Sequence, residues 1–140
     1  MDFKMINECN TLSKNKIISK EENKRKFIIK NNSNTKVNIV EVDDCLITNG
    51  NKCDWLFEIL DNNLVFYVEL KGKNIDHAFV QLETTINYCK SKHNKLKKNA
   101  YIVSSRVPSS GTDIQEAKKY FTQKLQTLLT IKNNKIEVTI

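Results

Sequence analysis

The sequence predicts an α/β domain in which a mixed β-sheet is flanked by helices. Between residues 26 and 71, short β-rich segments alternate with turns that contain Asn or Gly. After residue 74, apolar side chains recur every three or four positions, which is the spacing of an amphipathic helix. The 140 residues include 3 Gly and 1 Pro, so no Gly- or Pro-rich linker divides the chain. We therefore predict a single domain over residues 1–140.

The first half of the chain is expected to form a meander of strands. Its first 24 residues are polar and weakly patterned, which predicts a loose arm or a short helix. Strands are predicted at residues 26–30, 37–47, 53–60 and 64–71. Asn49-Gly50 is a favoured hairpin turn, and the Asp-Asn-Asn run at residues 61–63 separates the last two of these strands.

The second half is expected to add two helices and two strands. Apolar residues from Ile75 to Cys89 follow helical spacing, and Thr112 with Gln115 resembles a capping box that opens another helix. The helices are predicted at residues 75–92 and 112–128, and the strands at residues 100–104 and 135–140. The predicted order is β-β-β-β-α-β-α-β, a three-strand meander followed by a helical crossover and a further strand.

Composition and charge argue against two classes of protein. No apolar run approaches the ~18 residues of a membrane span, and the polar N-terminus lacks the apolar core of a signal peptide. We therefore expect neither membrane insertion nor secretion, and we predict a cytoplasmic location. The net charge of +7 is compatible with a nucleic-acid partner. The basic residues are almost all Lys, with only Arg25 and Arg106, so charge alone does not identify that partner.

The four cysteines show no metal-binding spacing. Cys9, Cys45, Cys53 and Cys89 include no Cys-x-x-Cys pair, and the two histidines are not spaced with them as zinc ligands would be. The favoured prediction is reduced, mostly buried thiols in a cytosolic protein, ahead of a structural metal or a disulfide.

Asp54 lies on the strand before the one that carries Glu69 and Lys71. Side chains alternate between the two faces of a strand, so Glu69 and Lys71 share one face. A two-residue loop at 61–62 places Asp54 opposite Glu69, and a loop at 62–63 places it opposite Lys71, on the same face in both cases. Two carboxylates and an ammonium group are therefore expected to converge at one edge of the sheet.

This grouping suits a divalent metal ion. Carboxylates held a few ångströms apart repel each other unless a cation lies between them. Mg²⁺ binds through one or two carboxylates and keeps waters and phosphate oxygens, so Asp54, Glu69 and the carbonyl of Leu70 are candidate ligands for Mg²⁺ or Mn²⁺. Lys71 could then orient a metal-bound water or offset charge on a phosphate. The alternative is an ordinary cross-strand Glu–Lys pair on a solvated face.

The segments around these residues resemble the core of the PD-(D/E)XK nuclease superfamily. That family carries an Asp on one strand and Glu-x-Lys on the adjacent strand, followed by a helix; the matching stretches here are CDWL at 53–56 and FYVELKG at 66–72. The resemblance covers residues 37–101 and implies a restriction-endonuclease-like core. By similarity, Asp54 and Glu69 would be metal ligands and Lys71 the catalytic lysine. Gln81 matches a Gln that some branches carry near the site.

The chain departs from the family pattern at three places. Cys53 stands where the family often has Pro, and Thr85 stands where some branches have Tyr. No acid of a first helix can be singled out among Glu8, Glu21 and Glu22.

The remaining candidates depend on weaker signals. If Asn49-Gly50 is a two-residue turn, Cys45 faces Asp54 and Asp43 lies diagonal to it; this makes Asp43 a candidate accessory acid, with a solvated strand end as the favoured alternative. His77, near the start of the first helix, is better explained as an exposed polar residue than as a phosphate contact. The lysines of residues 90–98 could follow a nucleic-acid backbone or could simply favour a helix C-terminus, in particular Lys90, Lys92 and Lys95.

The expected activity is Mg²⁺- or Mn²⁺-dependent hydrolysis of a nucleic-acid phosphodiester, with DNA as the favoured substrate. Two alternatives stay open: a binding module of the same fold without turnover, and a subunit of a larger restriction or defence assembly. The larger assembly is considered because 140 residues leave little room for a separate sequence-reading domain. Nucleic acid is the expected partner, and a homodimer or a partner subunit stays open as well.

Overall fold

The computed structural model describes residues 8–71, 74–105 and 112–140, and the side chains of Lys71 and Thr112 lie outside the described part. The strands are β1 (Asn10–Ser13), β2 (Ile17–Glu22), β3 (Arg25–Lys30), β4 (Val37–Glu41), β5 (Trp55–Ile59), β6 (Leu64–Lys71), β7 (Lys97–Ser104), β8 (Thr127–Asn133) and β9 (Lys135–Thr139). The helices are α1 (Ile75–Tyr88), α2 (Lys90–His93) and α3 (Thr112–Leu125).

A six-stranded mixed sheet forms the centre of the fold, with the order β1-β4-β5-β6-β7-β8. Neighbours from β1 to β6 are antiparallel, whereas β6, β7 and β8 are parallel. The meander β4-β5-β6, followed by α1 and the parallel strand β7, confirms the predicted succession of three strands, a helix and a strand. Parallel neighbours require such a crossover, because a tight turn can join only antiparallel strands.

A second sheet, of three strands in the order β2-β3-β9, covers one face of the central sheet. Aromatic rings fill the space between the two sheets: Phe27 of β3 lies with its ring centroid 5.5 Å from that of Phe57 and 5.0 Å from that of Tyr101. The helices α1 and α3 pack on the other face, against side chains such as Leu56 and Tyr67. The expectation of helices flanking the sheet is therefore corrected: helices cover one face and strands cover the other.

The prediction of a loose arm or short helix at the N-terminus is wrong for residues 10–22, which form β1 and β2. β1 pairs with β4, and β2 joins β3 through a hairpin whose turn residues Asn23 and Lys24 have φ of 49° and 66°. The strands are specified by these pairings rather than by the local pattern. The part of the prediction that concerns residues 1–7 lies outside the described residues.

Two element boundaries also differ from the prediction. The helix expected to reach residue 128 ends at Leu125, because Gln126 has a φ of 48° and β8 begins at Thr127. Leu128, which continued the apolar spacing, is 59% exposed on β8. The strand predicted at 37–47 ends at Glu41, and the following residues turn back on themselves. The predicted capping box at Thr112 depends on a side chain outside the described residues.

Two of the four cysteines form a disulfide. The nitrogen of Glu41 donates to the carbonyl of Cys9 at 3.0 Å, which holds Cys9 beside the end of β4, and the turn after β4 brings Cys45 back to it. The Cα atoms of Cys9 and Cys45 are 5.8 Å apart, and their sulfurs are bonded. The prediction of reduced thiols is thus wrong for this pair. Cys53 and Cys89 are free and buried, and burial raises the pKa of Cys89 to about 12.

Among the described residues, no helix is long and apolar enough to span a bilayer.

The disulfide closes a loop between residues separated by 36 positions, and we expect it to stabilise the fold. Cys45→Ser should lower the free energy of unfolding by about 4 kcal/mol, because the unfolded chain regains the entropy of the open loop. Urea denaturation at pH 7 measures this loss. A reducing agent should lower the stability of the wild type by a similar amount and leave Cys45→Ser unchanged. Equal sensitivity of both proteins to the reductant would contradict a stabilising disulfide.

Candidate functional site

The register between β5 and β6 sets the position of the candidate metal ligands. Trp55 pairs with Val68 and Ile59 pairs with Leu64, so the ladder ends one residue short of Asp54. Over these paired residues the register is the one predicted for a turn at 61–62, and it is confirmed there. The turn is a single 3-10 turn, closed by a hydrogen bond of 3.1 Å from the nitrogen of Asn63 to the carbonyl of Leu60.

Asp54 itself lies just outside the ladder of paired residues. Its nitrogen donates to the carbonyl of Val68 at 3.2 Å, although Val68 already pairs with Trp55. Two residues of one strand facing one residue of the other is the arrangement of a β-bulge, which re-aims side chains at sheet edges. The Asp54 carboxylate accepts a hydrogen bond from the nitrogen of Leu70 through Oδ2, at 2.9 Å. The Asp54 side chain therefore extends from β5 to the backbone of β6, at the residue that follows Glu69.

Glu69 is buried, with 2% of its surface exposed. It is two residues beyond Tyr67 on β6, so it points toward the helix side of the central sheet. Its neighbour there is the thiol of Cys53. Burial raises the pKa of Cys53, a hydrogen bond with Thr85 lowers it, and the charges of Glu69 and Asp54 raise it further. Both carboxylates therefore lie near the same thiol, at the end of β6 and the start of β5.

Helix α1 holds the segment that leads into Asp54. The nitrogen of Cys53 donates to Oγ1 of Thr85 at 2.9 Å, and the Thr85 hydroxyl donates to the carbonyl of Gln81 at 3.0 Å. Gln81 donates through Nε2 to the carbonyl of Lys52, also at 3.0 Å. Gln81 and Thr85 thus fix the two residues that precede Asp54. Gln81, predicted as a site residue, contacts the backbone next to the site.

The other predicted residues of this edge are placed by their backbone. Lys71 ends β6 opposite Ser104 of β7. Its side chain lies outside the described part, so its catalytic role stays a prediction. The Leu70 side chain is buried on the face away from the helices, and its nitrogen is used by Asp54. The role of the Leu70 carbonyl as a metal ligand also stays a prediction.

The predicted pairing of Cys45 with Asp54, which would have placed Asp43 diagonal to Asp54, is not found. The nitrogen of Val42 donates to the carbonyl of Asp54 at 3.1 Å, so Val42 rather than Cys45 lies opposite Asp54. The predicted two-residue turn at 49–50 is therefore wrong, because the chain turns earlier: the nitrogen of Ile47 donates back to the carbonyl of Val42 at 3.0 Å. The half-exposed carboxylate of Asp43 lies 3.6 Å from Nζ of Lys52.

His77 is exposed in the first turn of α1, where its nitrogen donates to the side chain of Asn74 at 3.0 Å. Nε2 of His77 lies 3.1 Å from Oδ1 of Asn51, in the loop that leads to β5. These contacts are those of an exposed polar residue, as predicted.

The lysine cluster at residues 90–98 lies at the opposite end of the β5–β6 hairpin from Asp54. The nitrogen of Lys97 donates to the carbonyl of Asn63, in the turn between these strands, at 2.8 Å. α1 separates the two ends by about 20 Å, given its 14 residues. Lys90 and Lys95 are exposed, whereas Nζ of Lys92 lies 3.5 Å from a carboxylate oxygen of Glu58.

Sequence reasoning missed a buried polar network near this end. The hydroxyl of Tyr67 lies 2.7 Å from Nδ1 of His93, and Nε2 of His93 lies 2.5 Å from Oε2 of Glu58. Asn38 donates to the other oxygen of Glu58 at 2.9 Å. Tyr67, His93 and Glu58 are all at most 1% exposed, so no substrate reaches them. The available signal was Glu58, an acid in an otherwise apolar strand.

The donor set at the Asp54–Glu69 edge consists of hard oxygen ligands, which suit Mg²⁺ or Mn²⁺ better than zinc. In the described part of the chain, no group of three or more His, Cys, Asp or Glu residues could hold a metal ion. A metal here would therefore depend on the two carboxylates, backbone oxygens and water. No protein-family model, curated protein or solved structure is significantly similar to this chain.

Glu58 makes the stability of the fold depend on pH. Burial raises its pKa, but hydrogen bonds from His93 and Asn38 and the charges of His93 and Lys92 outweigh burial, so the pKa is lowered. A lowered pKa stabilises the fold above the unfolded value of about 4.3, and this contribution is lost as pH falls through the folded value. Glu58→Gln should therefore cost about 2 kcal/mol at pH 7 and much less at pH 3.

Urea denaturation of both proteins across this pH range tests the expectation. Glu137→Gln is the matched control, because Glu137 is an exposed acid whose pKa is also lowered, by Lys30 and Lys135. It should change stability little at any pH. A cost for Glu58→Gln that is the same at pH 3 and pH 7 would contradict the role assigned to the carboxylate.

Proposed function

We propose that this chain is a Mg²⁺- or Mn²⁺-dependent nuclease of the PD-(D/E)XK type that hydrolyses phosphodiester bonds, with DNA as the favoured substrate. The observation that carries the proposal is the hydrogen bond of 2.9 Å from the nitrogen of Leu70 to Oδ2 of Asp54, which holds this carboxylate against the backbone between Glu69 and Lys71.

The order of elements supports a restriction-endonuclease-like core. Three antiparallel strands, β4, β5 and β6, are followed by α1 and by the parallel strand β7. One part of that family pattern is replaced. Glu21 and Glu22 lie on β2 rather than on a first helix, and Glu8 lies two residues before the start of β1. The proposed site therefore uses Asp54 and Glu69 without an acid from a first helix.

Each residue of the proposed site has a separate task. The nitrogen of Leu70 holds the Asp54 carboxylate, and burial restricts the side chain of Glu69. Because both side chains are already ordered, a metal ion would bind without the entropic cost of ordering them. A bound Mg²⁺ would supply a coordinated water of lowered pKa. Lys71 would stabilise the negative charge that develops on the phosphate as water attacks phosphorus and the P–O bond to the leaving group breaks.

The expected cytoplasmic location also stays a proposal. The disulfide between Cys9 and Cys45 weighs against it, because the cytosol keeps most thiols reduced.

Cleavage and binding, measured on the same substrate, test the proposed activity. Wild-type protein with Mg²⁺ or Mn²⁺ should cut plasmid or single-stranded DNA, and Glu69→Gln should not. Lys71→Ala should lower the cleavage rate by at least about 100-fold while DNA affinity changes little.

Lys36→Ala is the matched control, because Lys36 is exposed directly before β4, at the far end of the hairpin, so the variant removes the same charge and should cut at the wild-type rate. Wild-type protein that binds DNA but never cuts, with either metal and either substrate, would contradict the nuclease and favour the binding module.

A further inference from the structure

Arg25 is a buried cation at the same end of the central sheet as the candidate site. It begins β3, and only 8% of its surface is exposed. It shares the inward face of β3 with Phe27 and Ile29, so its side chain points toward the central sheet. Its Nη1 donates to the hydroxyl of Ser105 at 2.8 Å.

No carboxylate among the described residues balances this charge. The Nε atom of Arg25 is buried and has no hydrogen-bond partner. Glu22 lies opposite Arg25 in the β2–β3 pairing, but it is exposed and forms no ion pair with the guanidinium. A buried cation without a counter-charge costs considerable free energy, because the group has lost its hydration and gained little in return. A bound anion would supply both the missing counter-charge and an acceptor for the unpaired Nε atom.

The guanidinium lies close to the end of β6. Ser105 directly follows β7, and Ser104 pairs with Lys71 at the end of β6. Arg25 therefore lies at the same end of the central sheet as Glu69, on the face that the second sheet covers, whereas Glu69 lies on the face that the helices cover. Backbone hydrogen bonds fix this corner: the nitrogen of Lys26 donates to the carbonyl of Asn134, and the nitrogen of Asn134 donates to the carbonyl of Ser104, both at 2.8 Å.

We propose that Arg25, together with the hydroxyl of Ser105, binds a phosphate group of the nucleic-acid backbone at the same end of the central sheet as the phosphodiester that is hydrolysed. Guanidinium has a planar fork of donors that matches phosphate oxygens, and the exposed Ser105 hydroxyl can donate to the same group. The phosphate could also be a free ion. The identity of the ligand as nucleic acid rests on the proposed nuclease function, whereas the anion site itself does not.

Thermal unfolding with inorganic phosphate tests the anion site alone. At a tenfold excess over its dissociation constant, phosphate should raise the Tm of the wild type by about 5 °C relative to chloride at equal ionic strength. Arg25→Gln should lose this shift. Lys24→Gln is the matched control, because it removes the same charge from the exposed neighbouring residue and should keep the shift.

DNA binding in EDTA distinguishes a nucleic-acid phosphate from a free ion. For Arg25→Gln, the slope of log affinity against log salt should fall by about 1 relative to Lys24→Gln. An unchanged slope, with the phosphate shift intact, would overturn the nucleic-acid ligand and leave a site for free phosphate. Equal phosphate shifts in wild type and Arg25→Gln would overturn the site.

Two further outcomes keep the proposal separate from the nuclease. If no metal supports cleavage but the phosphate shift depends on Arg25, the anion site stands and the nuclease fails. If cleavage occurs but Arg25→Gln binds phosphate and DNA as Lys24→Gln does, the nuclease stands and this site fails. Should Arg25→Gln not fold, Arg25→Lys retains the charge without the planar fork and should show a smaller shift. Absence of a phosphate shift in the wild type would overturn the site without any variant.

Discussion

The antiparallel register between β5 and β6 is the constraint on which the rest of the structure depends. It places Leu56 and Tyr67 on the helix side of the central sheet, and Phe57 and Phe66 on the side of the second sheet. A slip of one residue in either strand would exchange these faces, because side chains alternate with a period of two. The same register brings the start of β5 to the end of β6, so packing of the core also places the two segments that carry Asp54 and Glu69 at one edge of the sheet.

The two faces of the hairpin are stabilised in different ways. The side of the second sheet is dry and aromatic, with Phe27 at the centre of the rings that pack against it. The helix side contains charge: the Glu58–His93–Tyr67 network at one end and the Asp54–Glu69 edge at the other. A buried network stabilises a fold only when its members are satisfied, and Glu58 receives donors from both Asn38 and His93. The network therefore ties α2, which contains His93, to the hairpin.

The sequence allowed the local elements to be predicted where one signal dominated. The strand at 64–71 and the start of the helix at Ile75 agree with the structure, because apolar runs and helical spacing were unambiguous there. β1 and β2 were missed because their polar sequences show no strand pattern of their own: β1 is stabilised by pairing with the distant β4, and β2 by its hairpin with β3. β8 was missed because Leu128 happened to continue the spacing of α3, and periodicity cannot show where a positive φ at Gln126 ends a helix.

The site was predictable to a similar extent. Strand parity and the resemblance pointed to Asp54, Glu69 and Lys71; the register of the hairpin agrees with the predicted parity as far as Trp55, and the roles of the three residues stay predictions. The bulge at Asp54 was not predictable, since it depends on how the strand ends, and neither was the Cys9–Cys45 disulfide, which depends on a turn after β4. Arg25 gave no signal, because burial without a counter-charge is visible only once β3 is packed on the central sheet.

The central claim is that Asp54 and Glu69 together bind one divalent ion. Calorimetric titration of the wild-type protein with Mn²⁺ tests it most directly. The same titration is made with Asp54→Asn, with Glu69→Gln and with Glu83→Gln, which removes an acid of α1 outside the site and serves as the control. The account predicts one ion per chain, with affinity lowered at least about tenfold in each of the first two variants and unchanged in the control. No Mn²⁺ binding at millimolar concentration, or equal binding by all four proteins, would contradict it.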